Sequence, residues 1–189
     1  MKLTPNSIIL PTSYCPSILY FKYLTSYQYT YIEAYEYYKR HSMRNRARIL
    51  GVNGKILLTV PIVRKSYSKT RIKNIKIANN KWQKKHINSI KSAYGSSPFF
   101  IHYFDGIEKI INNHYTFLMD LNTEMVNFFL EIMKISLNIK YSNKYIKQYS
   151  SEFIDQRDQM SCELKYNFND YHQVFNNNFT PNMSILDLI

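Results

Sequence analysis

The chain has 189 residues, 45% of them hydrophobic, and sets 25 Lys and Arg against 13 Asp and Glu for a net charge of +12. That length fits one domain, or one domain with a small appendage, and the apolar content sets disorder aside. No run approaches the roughly 18 apolar residues that span a bilayer, and two cysteines, Cys15 and Cys162, are too few and too far apart for a disulfide framework or a zinc site.

The first 21 residues carry one lysine and a short apolar stretch. Pro5, Pro11 and Pro16 interrupt it and no small-residue cleavage site follows, so it reads as the first strand of a cytoplasmic protein. The charge and the 18 tyrosines invite a nucleic-acid reading. Ile, Asn, Lys and Tyr are over-used together, however, as AT-rich coding produces, and no RNP, zinc-finger or helix-turn-helix pattern is present. Nucleic acid is therefore a disfavoured partner.

Ser7 to Leu10 is a short apolar run stopped by Pro11, the profile of a buried strand. After the turn at Pro11 to Pro16, Ser17 is placed to cap a helix carrying Ile18, Leu19, Phe21 and Leu24. A strand that ends in a loop and opens a helix is where α/β folds place ligands. Thr30 to Tyr38 alternates as a second strand and runs into a basic stretch, KRHSMRNRAR.

Two runs rich in Ile, Leu and Val then flank Asn53-Gly54, the preferred centre of a type I′ hairpin. With those two residues as the loop, Arg48 faces Thr59 and Arg46 faces Pro61. Ala47, Ile49, Ile56, Leu58, Val60 and Ile62 share a core face while Arg44, Arg46 and Arg48 share the other. A row of guanidinium groups is comfortable only against solvent, carboxylates or a bound anion.

Arg71 to Ala78 alternates as a further strand. Asn79 or Asn80 can cap the next helix, with Trp82, His86, Ile90 and Ala93 on one stripe and Gly95 ending it. Ser97-Pro98 opens a helix with Phe99, Phe100, Tyr103, Phe104, Ile107 and Ile111 as its apolar stripe. A third runs from about Phe117 to Ile135, and Ile139 to Gln148 reads as one more strand. The tail from Phe153 is polar and irregular, with a turn at Asn176 to Asn178. The fold expected is α/β, a central sheet with an Asn-Gly β-hairpin insertion and three following helices. Residues 1–150 make the single domain and residues 151–189 a C-terminal segment packing on it.

Three stretches, PTSYCPSILYF, RNRARI…NG…LLTVPI and W…H…I…SAYGSSPFF, together resemble the WbqC-like family of bacterial surface-polysaccharide and O-antigen gene clusters. The tail DQRD…YHQVF…PNMSILDLI is similar to the end of its short form, common in Bacteroidetes-type bacteria. The family usually carries an aromatic residue where Cys15 stands, which argues against Cys15 as a nucleophile, and relatives often continue past Ile189. The resemblance implies a tailoring step in glycan biosynthesis, such as acyl or aminoacyl transfer onto a sugar.

No GxSxG elbow, HExxH pair or Gly-rich phosphate loop accompanies these motifs, and no cofactor is indicated. What remains is an anion site of Arg44, Arg46 and Arg48 with Asn45, since Arg offers a planar fork to phosphate or carboxylate. A nucleotide sugar or an acyl donor fits such a site. His86, on one stripe with Trp82, can act as a base near neutral pH or be satisfied in the core. Asp155 with Arg157 is an acid partner or a structural ion pair, and Tyr14 and Tyr20 are placed to line the N-terminal loop. The alternatives are a non-catalytic protein that binds partners of the same pathway through its basic face, and, less favoured, a nucleic-acid binder.

Overall fold

The computed structural model describes residues 5–63, 69–159, 169–175 and 178–189; Cys162 and the Asn176 and Asn177 part of the expected turn lie outside them. Its centre is a four-stranded parallel sheet. β1 (Ser7–Pro11) pairs with β2 (Tyr29–Glu33), Ile8 opposite Thr30. A parallel sheet covered on both faces needs continuous apolar strands, and Ile8, Ile9 and Leu10 in β1 are all buried. Helix α1 (Ile18–Thr25) makes the crossover, and Ser17 caps it as expected by accepting from the Tyr20 N–H at 3.3 Å.

The hairpin β3 (Arg46–Gly51) and β4 (Gly54–Thr59) follows. Its core face is as expected, with Ala47, Ile49, Leu58 and Val60 buried, but its register differs: Arg46 faces Thr59, Arg48 faces Leu57 and Gly51 faces Gly54. The loop is therefore Val52–Asn53. Gly54 is the hairpin's one residue with positive φ, at 101°. A single positive φ on the glycine after the loop fits a bulged type I turn, which spares Asn53 the left-handed conformation that type I′ imposes. Because the shift is by two residues, no side chain changes face.

Residues 71–78 form no strand. A 3₁₀ turn occupies Ile72–Asn74; its Ile72 and Lys73 N–H groups donate to Glu36 and Ala34. The remainder is an extended segment bridged on one side to Ile62 and on the other to Phe117.

Three helices then cover the hairpin and sheet: α2 (Trp82–Tyr94), α3 (Phe100–Asn112) and α4 (Leu118–Ile132). The Trp82, His86, Ile90 and Ala93 stripe is buried throughout. The α3 stripe begins at Phe100; Phe99, its N-cap residue, is exposed. β5 (Ile139–Tyr141), shorter than the strand expected there, joins the edge beside β2, and β6 (Phe153–Asp155) flanks β1, giving the order β5-β2-β1-β6. The α/β fold is thus a parallel central sheet, an antiparallel hairpin and three helices after it. No helix among the described residues is long and apolar enough to cross a membrane.

α3 and α4 meet at Gly106, where a Cβ atom would lie 2.3 Å from the Phe128 ring. Alanine gains about 1 kcal/mol in helix propensity, but overpacking of this kind costs about 1–3 kcal/mol. Gly106→Ala is expected to lower the thermal midpoint, and Gly106→Ala/Phe128→Leu to recover it.

Candidate functional site

The strands of the central sheet end in a buried ionic network. Arg44 grips Glu36 through two bonds, Nε to Oε1 at 2.8 Å and Nη2 to Oε2 at 2.7 Å, and both side chains are about 95% buried. Arg157 donates to Asp155 and to Glu33, the latter at 3.1 Å, and its remaining donors reach the Ile146 and Lys147 carbonyls. Burial disfavours the Arg157 charge, but the Asp155 hydrogen bonds and the neighbouring carboxylates more than offset this and hold its pKa up. Burial pushes the Glu36 carboxyl above the usual range despite Arg44.

Asn45, next in the chain, is a wall rather than an arm. Its Oδ1 accepts from the Tyr38 hydroxyl at 2.9 Å and its Nδ2 donates to the Val60 carbonyl at 2.8 Å. It thereby fixes the start of β3 against the end of β4.

On the outer side of that wall lies a cleft of about 700 Å³. The β2–β3 loop supplies Arg40 and His41, β3 supplies Arg46, the chain after β4 supplies Pro61 to Val63, and Ala78 to Asn80 close the side nearest α2. Arg46 donates through Nη2 to His41 Nδ1 at 3.0 Å, while its Nε–H is buried and unpartnered. No carboxylate occurs among the described residues that line the cleft. α2 begins beside it at Trp82, with neither a side-chain cap nor an acidic residue in its first turn, so its positive dipole end adds to the cationic side chains.

His86 lies behind this site and does not line it. Its Nδ1 is 2.9 Å from the Tyr14 hydroxyl, and a further hydrogen bond joins it to the Thr59 backbone. The Tyr14 and Trp82 rings flank it. Burial lowers its pKa to about 4, so the imidazole is neutral, tying the loop after β1 to β4. Tyr20 donates to the Pro11 carbonyl at 2.9 Å and is buried. Cys15 is buried too, which pushes its thiol up to about 12; such a thiol is not a nucleophile at neutral pH.

Of the residues singled out in the sequence, the structure brings Asn45 and Arg46 to the cleft. Arg44, Arg157 and Asp155 lie in the ionic network, Tyr14 and His86 in the core, and Arg48 on the hairpin, where its carbonyl accepts from Ser184 N–H at 2.7 Å. Trp82 lines a separate, smaller hollow. Arg40, His41, Asn79 and Asn80 were not singled out as ligands. The basic run holding the first two was visible, but nothing in the sequence says which of its members meet the loop before α2. Among the described residues no three His, Cys, Asp or Glu side chains are grouped to hold a metal ion.

The model of the WbqC-like protein family matches residues 12–160, which include the ionic network and the whole lining of the cleft. No curated protein and no solved structure matches the chain.

Removing Arg44 leaves Glu36 buried without its partner, a loss of about 3–5 kcal/mol. Urea unfolding of Arg44→Ala should show it, whereas Arg46→Ala should stay within about 0.5 kcal/mol of the parent. The unfolded His86 titrates near 6.5 and the folded one near 4. The unfolded state therefore binds the extra proton between those values. The contribution is intact above pH 6.5 and is lost as pH falls towards 4, about 3 kcal/mol in all. His86→Gln, compared by unfolding across that window, should show a correspondingly shallower decline.

Proposed function

The chain belongs to the WbqC-like protein family, and from that premise we propose that it tailors a precursor of a bacterial cell-surface polysaccharide, holding an anionic donor in the cleft between Arg46 and the start of α2. The observation that carries this reading is the cleft's inventory: Arg40, Arg46, His41 and the Asn79 and Asn80 amides, with no carboxylate among its described lining. Such a set of donors recognises phosphate or carboxylate. A nucleotide-linked sugar or a phosphate-bearing acyl donor has the required charge. Arg46 is the primary contact, because it has a buried Nε–H without a partner and no ion pair among the described residues.

The reaction we assign is transfer of an acyl or aminoacyl group to a sugar. Arg46 occupies the lone pair of His41 Nδ1. A donor phosphate that draws Arg46 away releases that nitrogen, which takes the proton of the attacking hydroxyl or amine as the new acyl bond forms and returns it to the donor's carrier group, which leaves with the electron pair of the broken acyl bond. His41 is thus the base of this proposal, in place of His86, whose two hydrogen bonds are internal.

A second reading, a non-catalytic protein that binds pathway partners through its basic face, draws on the burial of Cys15, Tyr14 and His86. Calorimetric titration with uridine and cytidine diphosphate sugars and with acyl-coenzyme A separates the two. Arg46→Ala should weaken binding of one donor class at least tenfold. His41→Asn should lose turnover of the same donor while weakening its binding less than Arg46→Ala does. Unchanged affinity in folded Arg46→Ala would remove the site, and binding without turnover in the parent chain would favour the partner-binding reading.

A further inference from the structure

The extended segment before α2 separates two hollows. On one side Val63 N–H donates to the Lys76 carbonyl at 3.0 Å and Ala78 N–H to the Pro61 carbonyl at 2.9 Å, forming a wall of the cationic cleft. On the other side Ile77 N–H donates to the Thr116 carbonyl at 3.0 Å and Leu118 N–H to the Ile75 carbonyl at 2.9 Å. There a second hollow of about 170 Å³ opens, and Ala78 and Asn79 line both. The two are neighbours across one strand-like segment.

Their chemistries differ. The second hollow has no Asp, Glu, Lys or Arg in its lining; it offers Gln83, Thr116, Asn79 and His114 around the apolar surface of Ile77 and Trp82. Gln83 and Asn79 have no side-chain hydrogen bond to a described residue, and the Trp82 Nε1–H, in a side chain 7% exposed, is buried without a partner. Amides and a hydroxyl set beside an indole supply both donors and acceptors on a partly apolar floor. That combination suits a neutral ring with several hydroxyl groups better than an ion or a lipid. At about 30 Å³ for each water displaced, the hollow holds about five or six waters, the room of one monosaccharide ring.

The geometry points to a neutral monosaccharide subsite between Gln83, Thr116 and Trp82, placed beside the anion cleft so that the sugar unit to be modified meets the donor across Ala78 and Asn79. Its role as an acceptor site rests on the donor assignment above; the binding itself does not.

Trp82 is the chain's one tryptophan, so emission excited beyond tyrosine absorption comes from a single residue, in the wall of this hollow. The intact chain is titrated with methyl glycosides of glucose, galactose and mannose, and separately, by calorimetry, with inorganic pyrophosphate as the probe of the cleft. Saturable change of Trp82 emission by at least one glycoside is expected, weakened at least tenfold in Gln83→Ala/Thr116→Val while pyrophosphate binding stays the same. Emission that fails to saturate with every glycoside, or a variant that titrates like the parent, overturns the subsite. Glycoside binding with no pyrophosphate binding would uphold the subsite and instead overturn the donor cleft.

Discussion

Two buried guanidinium groups set the terms for the rest of the molecule. Arg44 and Arg157 meet where the sheet ends, Arg44 reaching the Arg157 carbonyl at 3.2 Å as well as Glu36. Charges this deep are tolerated only when every hydrogen bond is filled and the partners are opposite in sign. Arg157 fills its fork with Asp155, Glu33 and two carbonyls, and Glu33 in turn accepts from Ser142 and the Tyr35 N–H. The network therefore joins the ends of β2 and β6 to the chains following β2 and β5. Three carboxylates face two guanidinium groups, and the raised pKa of Glu36 shows where burial disfavours the excess negative charge.

On the proposed reading, this arrangement moves the site. Open α/β sheets bind ligands in the crevice beyond the carboxyl ends of their strands. Here that region holds Glu33, Glu36, Asp155 and their arginines, with Asn122 bonding to Thr12 at 3.0 Å and to the Arg44 carbonyl at 2.8 Å. Open space lies one step outward, beyond Asn45. Three consecutive residues divide the work: Arg44 points into the network, Asn45 ties two strands, and Arg46 reaches the cleft.

That division explains what could be read in the sequence. The hairpin, its core face, the Ser17 cap and the α2 stripe were legible because each depends on neighbours a few positions away. The equivalence of Arg44 and Arg46 came from extending strand alternation to residue 44, but β3 begins at Arg46, and alternation carries no information before the first paired residue. Residues 71–78 alternate like a strand, yet their hydrogen bonds go to Ala34, Glu36, Pro61 and Thr116, partners that local pattern cannot announce. β6, with three residues, is too short to show a period. Glu33 carried no signal of its pairing, since an ion pair over 124 positions is a property of the fold; Glu36 pairs only eight positions away, but across a loop that has no periodicity to announce it.

The same reasoning decides how much the net charge of +12 means for ligand binding. Cations spread over a surface raise the local concentration of any anion, but their fields are screened over about 8 Å at physiological salt. Selectivity needs cations that share a concave wall and have no carboxylate beside them. Arg44 and Arg157 fail that test although they are the most deeply buried arginines among the described residues, because internal acids already hold them. On the proposed reading Arg46 meets it by position, with a histidine nitrogen as its partner and an uncapped helix start nearby. A guanidinium bonded to imidazole has given up less electrostatic energy than one bonded to carboxylate, so it retains more to offer an incoming anion. In the proposed cleft, recognition therefore falls to Arg46, which internal acids do not hold, rather than to Arg44 or Arg157, which they do.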